Sequence, residues 1–260
     1  MHQRARQFPS GLCHGFSDRR GGVSEGPYAS LNLGAKWGDD PAHVRENLRR
    51  LGEEAGFDPA ALRTVDQVHG IAIADASTSR DGTQADAVFA TRESGLVAGV
   101  RTADCVPILL VDEVAGICAA VHSGWRGTVA NIVAETLKEL SARGASSARV
   151  LAAIGPCISV EAFEVGTEVA AQFADAFVHP ATTTRPRPHV DLRGCVRSQL
   201  LASGVLANHI EDVGGCTCRE PDSYFSYRRD GAGIGQQLSF IGFSTPGSAR
   251  VVTTAGERRD

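Results

Sequence analysis

The chain has 260 residues, of which 42% are hydrophobic, and a formal net charge of −4. This length and apolar content support one large domain with a substantial core, so we expect residues 1–260 to form a single domain. The mildly acidic charge, without a lysine-rich stripe, argues against a dedicated nucleic-acid-binding protein.

The sequence also lacks the patterns of a membrane helix, a signal peptide and a disulfide framework. No apolar run approaches the roughly 18 residues of a membrane helix, and residues 1–8 lack the apolar core of a signal peptide. Seven cysteines lie at irregular spacing in a chain too long to need disulfide staples. We therefore expect a soluble, cytoplasmic protein with reduced thiols, no membrane or nucleic-acid partner and a small-molecule substrate.

The first half of the chain predicts one helix followed by strands. The helix begins after Asp40, a cap residue followed by proline, and ends at Gly56. Residues 62–90 have a β-like pattern, with alternation over 71–74 and an apolar run at 87–89. Three further runs, at 95–100, 106–111 and 116–121, predict adjacent strands of a sheet buried on both faces.

The second half predicts helices alternating with a strand. A helix is expected over 128–143, ended by Gly144, and a strand over 150–154 follows it, so this helix should cover the sheet. Helical spacing also appears over 165–177 and, behind an Asp191 cap, over 192–200. The Thr-, Arg- and Pro-rich stretch 181–188 predicts an exposed loop, and we find no repeat, linker or domain boundary.

One cysteine and two histidines form a candidate metal site. Cys105 heads an apolar strand, His122 ends another, and His69 occupies a strand-like position beside a turn. Thiolate and imidazole ligands suit zinc, and three protein ligands leave a fourth position for water or substrate. The alternative is that the histidines are ordinary surface or core residues and that Cys105 is a small buried hydrophobe.

The turn after His122 is a candidate anion site. Ser123 to Thr128 lie at a predicted helix N-terminus, where free backbone N–H groups attract anions, and Arg126 can add guanidinium donors. The alternative is an ordinary capped turn with a solvated Arg126. The sequence contains no phosphate loop of the Walker type that would decide between them.

Seven motifs lie in order at residues 17–24, 31–34, 67–70, 103–107, 122–127, 154–158 and 226–231. Together they resemble the motifs of the YfiH-like family, also called polyphenol oxidase or laccase-domain proteins. The resemblance implies an α+β fold of layered mixed β-sheets flanked by helices, similar to the catalytic domain of a deamidating bacterial toxin. It makes residues 1–260 a single catalytic domain, acting as a monomer or homodimer.

The resemblance implies a zinc-dependent purine nucleoside phosphorylase with adenosine deaminase as a second activity. Its substrates would be phosphate and adenosine, inosine, guanosine or methylthioadenosine. His69, Cys105 and His122 correspond to the zinc ligands of the family, and Cu²⁺ can occupy the same site. Cys105 and His122 would also be catalytic.

Further residues of these motifs are candidates for the site. Arg19 would help to hold phosphate, and Arg228 and Arg229 match motifs that line the pocket, although each arginine alone is typical of a solvated surface. Asn32 and Gln67 suit a sugar hydroxyl or a base edge, or else hydrogen bonds within turns and strands.

Asp104, beside the candidate cysteine ligand, is a candidate catalytic residue. It would orient a ligand or accept a proton, or else cap a turn. The pair Cys216 and Cys218 resembles a family segment near the pocket, but two buried thiols explain it as well. The chain departs from the family at Gln236, where an arginine is expected, and this places phosphate affinity in question.

Three other functions remain open. Copper-dependent oxidation of phenols, which the older family name implies, typically needs His-x-His pairs, and none of the eight histidines forms one. Amide hydrolysis on a peptidoglycan precursor would use Cys105 as nucleophile and His122 as base. The last alternative is a non-catalytic binding protein in which the metal is structural.

Overall fold

The fold is that of a computed structural model, in which residues 1–34 and 36–244 are described. The strands are β1 (His2–Gln3), β2 (Leu12–Ser17), β3 (Leu62–Arg63), β4 (Ile73–Asp75), β5 (Ala87–Thr91), β6 (Val97–Thr102), β7 (Val106–Asp112), β8 (Ile117–Ser123), β9 (Leu151–Ile154), β10 (Val178–His179), β11 (His189–Val190), β12 (Ile210–Asp212) and β13 (Gln237–Phe243). The α-helices are α1 (Pro41–Ala55), α2 (Trp125–Val129), α3 (Ile132–Ser141), α4 (Thr167–Ala170), α5 (Leu192–Ala202) and α6 (Tyr227–Asp230). Short 3-10 helices lie at Gly26–Tyr28, Pro59–Ala61, Arg92–Ser94, Asp175–Phe177 and Ala207–His209.

Two mixed sheets and helices make this an α+β fold. The five-stranded sheet has the order β1-β2-β13-β6-β3, and the six-stranded sheet has the order β12-β9-β7-β8-β5-β4. Each sheet is mainly antiparallel, and the parallel pairs are β3 with β6, β4 with β5, and β9 with β12. Strands β10 and β11 form a separate antiparallel pair.

Alternating side chains divide the core into layers. In β7, Leu109 and Val111 pack in a cluster with residues of the five-stranded sheet, so the two sheets face each other. Ile108 and Leu110 belong to a second cluster with apolar residues of α3 and α5. A third cluster joins α1 to the outer face of the five-stranded sheet. Because successive strand residues point to opposite faces, both faces of β7 are buried, which explains its continuous apolar sequence.

Several predicted elements are confirmed. Asp40 caps α1 by accepting a hydrogen bond from the backbone of Ala42, and Gly56 ends the helix in a left-handed conformation at φ 80°. Asp191 caps α5 in the same way. Helix α3, which follows β8 and precedes β9 along the chain, packs on the six-stranded sheet at β8, β5 and β4. Residues 181–188 contain neither helix nor strand.

Other predictions are wrong in part. The helix predicted over 128–143 is interrupted, because Asn131 adopts a left-handed conformation at φ 61° and caps a new helix through its side chain. Over 165–177 only Thr167–Ala170 is α-helical, since the backbone of Val165 donates to Pro188 and so pairs with another segment. Strand β6 also lies in the five-stranded sheet, apart from β7 and β8, because the intervening turn carries the chain between the sheets.

None of the helices in residues 1–34 and 36–244 has the length and apolar character that a membrane span requires.

Candidate metal centre and cavity

The three predicted metal ligands meet at one end of the six-stranded sheet. Cys105 lies in the turn just before β7, and His122 lies near the end of β8, opposite Pro107 in the antiparallel register. His69 was predicted at a strand-like position, but it lies in a bend with φ 61°. Two ligands are therefore placed by paired strands, whereas the third depends on a loop.

The ligand atoms are close enough to share one ion. Each of the three residues offers one ligand atom, and these atoms lie within 4.8 Å of one another. The distance from Sγ of Cys105 to Nε2 of His69 is 4.0 Å. A tetrahedral centre with Zn–N and Zn–S bonds of about 2.1 and 2.3 Å places such atoms roughly 3.5 Å apart, so modest side-chain rotation suffices. This trio is the one group of this kind within residues 1–34 and 36–244.

Gly124 leaves space beside all three ligands. A Cβ atom at this position would lie 2.7 Å from Cδ2 of His69, 3.2 Å from Sγ of Cys105 and 3.6 Å from Cε1 of His122. Any larger residue would push the His69 ring away. The backbone and the donor set therefore both fit a metal ion.

Asp86 organises two of the ligand segments. Its fully buried carboxylate accepts a hydrogen bond from Nδ1 of His122 at 2.7 Å and others from the backbone N–H groups of Val68, His69 and Gly70. Burial raises the pKa of this carboxyl, but the surrounding donors outweigh burial and hold the pKa below its usual value. Because Nδ1 of His122 is held by Asp86, Nε2 is the nitrogen that faces Cys105.

The electrostatics of the trio favour a thiolate. Burial raises the pKa of the Cys105 thiol, but His122 and His69 outweigh burial and lower the pKa to about 6. Burial lowers the pKa of His122, whereas Cys105 and Asp86 raise it to about 9. A thiolate beside an imidazolium is thus favoured at neutral pH, and metal binding would displace the imidazolium proton.

A cavity of about 770 Å³ opens beside the trio. Its wall includes the aromatic rings of Trp37, Tyr227 and Phe163, and the centroids of Trp37 and Tyr227 are 5.8 Å apart. Tyr28 holds the Trp37 segment by donating to its carbonyl oxygen. The cavity has the size of a small-molecule site and offers flat apolar surfaces for a planar ring.

Three of the other predicted residues line this cavity, and each makes side-chain hydrogen bonds within the protein. The side chain of Gln67 bonds to the backbone of Arg101 in both directions. Asp104 accepts from Oγ1 of Thr217 and from the backbone N–H of Arg228, both at 2.6 Å. The Arg228 guanidinium donates to the carbonyl of Ala162 and lies over the Phe163 ring.

Three predicted residues lie away from the cavity wall and hold loops together. The Arg19 guanidinium donates to the carbonyls of Ala29 and Pro221 and stacks on Phe225. The buried amide of Asn32 bonds to Gly34, Asp39 and the backbone of Gln236. Arg229 donates to the carbonyls of Thr217, Cys218 and Tyr224 and pairs with Asp230. The polar atoms of Asn32 and Arg229 are all engaged, as in positioning residues. Arg19 uses only Nε and Nη1, but it lies outside the cavity wall.

None of the residues of the predicted anion-binding turn, 123–128, lines this cavity. Helix α2 has only five residues, and the buried hydroxyls of Ser123 and Thr128 bond to each other at 2.8 Å. Arg126 is exposed and lies over the Trp125 ring, as the ordinary-turn alternative predicts.

The site also contains several residues that no sequence pattern indicated. Asp86 is a lone carboxylate in an apolar segment, and this isolation was the available signal. Arg101, Lys36 and Trp37 also line the cavity, but nothing in their local sequence distinguishes them. Gln236 lines it as well, at the position where an arginine was expected.

Comparisons with known proteins bear on this site. A family model described as multi-copper polyphenol oxidoreductase laccase matches residues 13–244. The chain belongs to this family. The resemblance noted from the sequence motifs is thereby confirmed.

Members of known name and structure are similar over most of their length. A Streptomyces griseus protein named purine nucleoside phosphorylase ORF3 is 42% identical over 83% of this chain and 88% of its own. A protein from an unknown prokaryotic organism, named adenosine deaminase RL5, is 36% identical over 87% of this chain and 92% of its own. The crystal structure of YlmD from Geobacillus stearothermophilus superposes with a TM-score of 0.83 at 30% identity, covering 94% of this chain and 99% of that one.

Proposed function

We propose that this protein is a zinc-dependent purine nucleoside phosphorylase. The observation that carries the proposal is the opening of the His69, Cys105 and His122 cluster onto a cavity with aromatic walls. The 42% identity to a protein named purine nucleoside phosphorylase supports the same substrate class. Inosine, adenosine, guanosine and methylthioadenosine are the candidate nucleosides.

The ligand chemistry supports zinc. One thiolate and two imidazoles form a mixed soft and borderline set, and three ligands leave one position for substrate. A zinc ion held by these residues would supply Lewis-acid polarisation of a bound oxygen. Copper can compete for the same nitrogen ligands. However, one three-residue cluster among the described residues, without His-x-His pairs, does not support a four-copper oxidase.

The cavity supports recognition of a purine nucleoside. Trp37 and Tyr227 lie together in the cavity wall, and aromatic rings can stack on a purine base with little dependence on its exact substituents. Phe163 and Ile158 add apolar surface. In phosphorolysis a phosphate oxygen forms a bond to the anomeric carbon while the bond from that carbon to the purine nitrogen breaks. The base then leaves with a proton, and the sugar leaves as its 1-phosphate.

Adenosine deamination is a second candidate activity of the same cavity. The similarity to a protein named adenosine deaminase RL5 favours it. Deamination replaces the amino group of the adenine ring by oxygen from water, so it needs no phosphate. Appearance of inosine from adenosine in phosphate-free buffer would identify it.

Amide hydrolysis with Cys105 as the nucleophile is a competing mechanism, because the geometry of the trio is also compatible with it. The order Cys105, His122, Asp86 is that of a cysteine nucleophile, its base and an orienting carboxylate. The same contacts also describe a metal site with an outer carboxylate on its histidine, and the cavity walls favour the latter. Chelation separates the two, because only the cysteine mechanism survives removal of the metal.

The deciding experiment incubates metal-quantified protein with inosine, with and without phosphate, and separates the products. Phosphorolysis requires phosphate and yields ribose 1-phosphate, and arsenate should substitute for phosphate and release free ribose. The Cys105→Ala and His122→Ala variants should lose both zinc and activity. Cys195→Ala, which removes a buried thiol of α5, serves as the control. Equal cleavage without phosphate, giving ribose directly, would indicate a hydrolase instead.

A further inference from the structure

Arg101 extends from the end of β6 to the wall of the cavity. We infer that its guanidinium is the main anion-binding group of this cavity and takes a phosphate oxyanion. The inference deepens the proposed function by assigning its second substrate a subsite. It replaces the sequence-based expectation that Arg19 and the turn after His122 would bind this anion.

The donors of Arg101 are only partly used within the protein. Nε donates to the carbonyl of Leu33 and Nη1 donates to Oγ1 of Thr64. Across residues 1–34 and 36–244, Nη2 has no hydrogen-bond partner and no carboxylate forms an ion pair with the guanidinium. Asp66 attracts Arg101 electrostatically without pairing with it. The side chain therefore presents an unpaired cation and free N–H donors to a ligand.

Arg101 is half-buried, and this makes an unpaired charge costly unless an anion binds. Desolvation lowers the pKa of Arg101, and Asp66 only partly opposes it. Buried charges in proteins are normally paired, because removing an ion from water without a partner is unfavourable. The planar guanidinium matches the geometry of phosphate oxygens better than an ammonium does.

The backbone of Arg101 is tied to the metal-ligand segment. The side-chain amide of Gln67 donates to the Arg101 carbonyl at 2.7 Å and accepts from the Arg101 N–H at 2.8 Å. Gln67 precedes His69 by two residues, and Arg101 precedes Cys105 by four. This double hydrogen bond therefore ties the chain segment that carries Arg101 and Cys105 to the segment that carries His69.

Other cations are less suited to this role. Arg19 and Arg229 donate to backbone carbonyls outside the cavity wall, and Arg126 is exposed on α2. Arg228 lines the cavity, but it is exposed and donates to the Ala162 carbonyl. Lys36 lines the same cavity and adds a second positive charge from an exposed position.

The test compares Arg101→Gln and Arg101→Lys with the parent protein in phosphorolysis of inosine. For Arg101→Gln the KM for phosphate should rise by about 10- to 100-fold, as loss of charge-assisted hydrogen bonds predicts, with the KM for inosine within about 2-fold of the parent. Arg101→Lys should recover part of the phosphate affinity. The matched control is Arg126→Gln, which removes an exposed guanidinium and should change neither KM. Thermal unfolding checks that each variant folds, and the Gln67 contacts persist because they use the Arg101 backbone.

A direct measurement of anion binding tests this inference independently of the proposed function. Isothermal titration calorimetry with inorganic phosphate, and separately with a purine nucleoside 5′-monophosphate, measures anion binding without turnover. Loss of either binding in Arg101→Gln supports the inference, and the ligand affected identifies whether the phosphate is free or carried by a nucleotide. If the parent binds phosphate but cleaves no nucleoside, the proposed function fails while the subsite stands. Unchanged binding of both ligands by Arg101→Gln, or an equal rise in both KM values, would overturn the subsite.

Discussion

Oδ1 of Asp86 lies 2.7 Å from Nδ1 of His122, and the same oxygen accepts the backbone N–H of His69 at 2.9 Å. One buried carboxylate thus orients the ring of one candidate metal ligand and the backbone of another. The two ligands are 53 positions apart along the chain, so neither segment could hold the other in place by local structure alone.

Asp86→Asn should weaken metal binding without removing a ligand. The carboxamide presents an NH₂ group to converging donors, so at least one contact is lost and the His122 ring is less well oriented. Loss of such outer contacts typically lowers metal affinity 10- to 100-fold, so we expect a fall of about that size. We also expect a loss of about 1 to 3 kcal/mol in the free energy of unfolding. Competition with a zinc chelator and chemical denaturation measure the two effects, and exposed Asp175→Asn is the control. Unchanged zinc affinity would show that Asp86 is only structural.

Gly124→Ala should disturb the site by size alone. Its new Cβ atom would contact Cδ2 of His69 at 2.7 Å, so the ring must move away from the other two ligands. We expect substoichiometric zinc by elemental analysis and a loss of nucleoside turnover, with little change in far-UV circular dichroism. Gly11→Ala is the matched control, because its Cβ atom would meet nothing within 4 Å. Full zinc content in Gly124→Ala would place the metal elsewhere.

The reactivity of Cys105 should depend on the metal and on pH. A zinc-bound thiolate reacts poorly, so the zinc-loaded protein should resist iodoacetamide at this residue. After chelation, alkylation should be half-maximal near pH 6, because His122 and His69 favour the thiolate and hold the pKa of Cys105 at about 6. Peptide mass spectrometry locates the label, and Cys105→Ala verifies the assignment. Rapid labelling with zinc bound, or full activity without zinc, would favour the cysteine hydrolase.

His14 should make the fold sensitive to acid. Burial lowers the pKa of this histidine to about 4, with Arg4 adding to the effect, and a ring nitrogen lies 3.2 Å from the Ala5 carbonyl oxygen. The unfolded chain binds the proton near pH 6.5, so stability is fully present above that value and is lost as pH falls towards 4. The loss attributable to His14 is at most about 3 kcal/mol.

The His14→Gln variant tests this assignment. Gln cannot titrate, so the decline in the free energy of unfolding between pH 6.5 and 4 should become shallower. His179→Gln, at an exposed position in β10, should leave the decline unchanged. Identical pH profiles for the parent and His14→Gln would remove His14 as the cause.

The sequence alone determined the capped helices α1 and α5 and the buried strands β7 and β8. These features follow from patterns over a few neighbouring residues. A cap bonds within its own first turn, as Asp40 does, and a continuous apolar run indicates a strand buried on both faces. The family motifs extended this to the metal site, since they name residue types at known positions.

Only the tertiary structure decided which polar side chains are available to a ligand. Arg19 matched a site motif, but Pro221, 202 positions away, takes one of its donors, and the Asn32 amide is used by Gln236, 204 positions away. Arg101, which no motif distinguished, keeps a free donor in the cavity wall. Hydrogen-bond saturation depends on atoms that folding brings within about 3 Å, and no pattern of neighbouring residues encodes such distances.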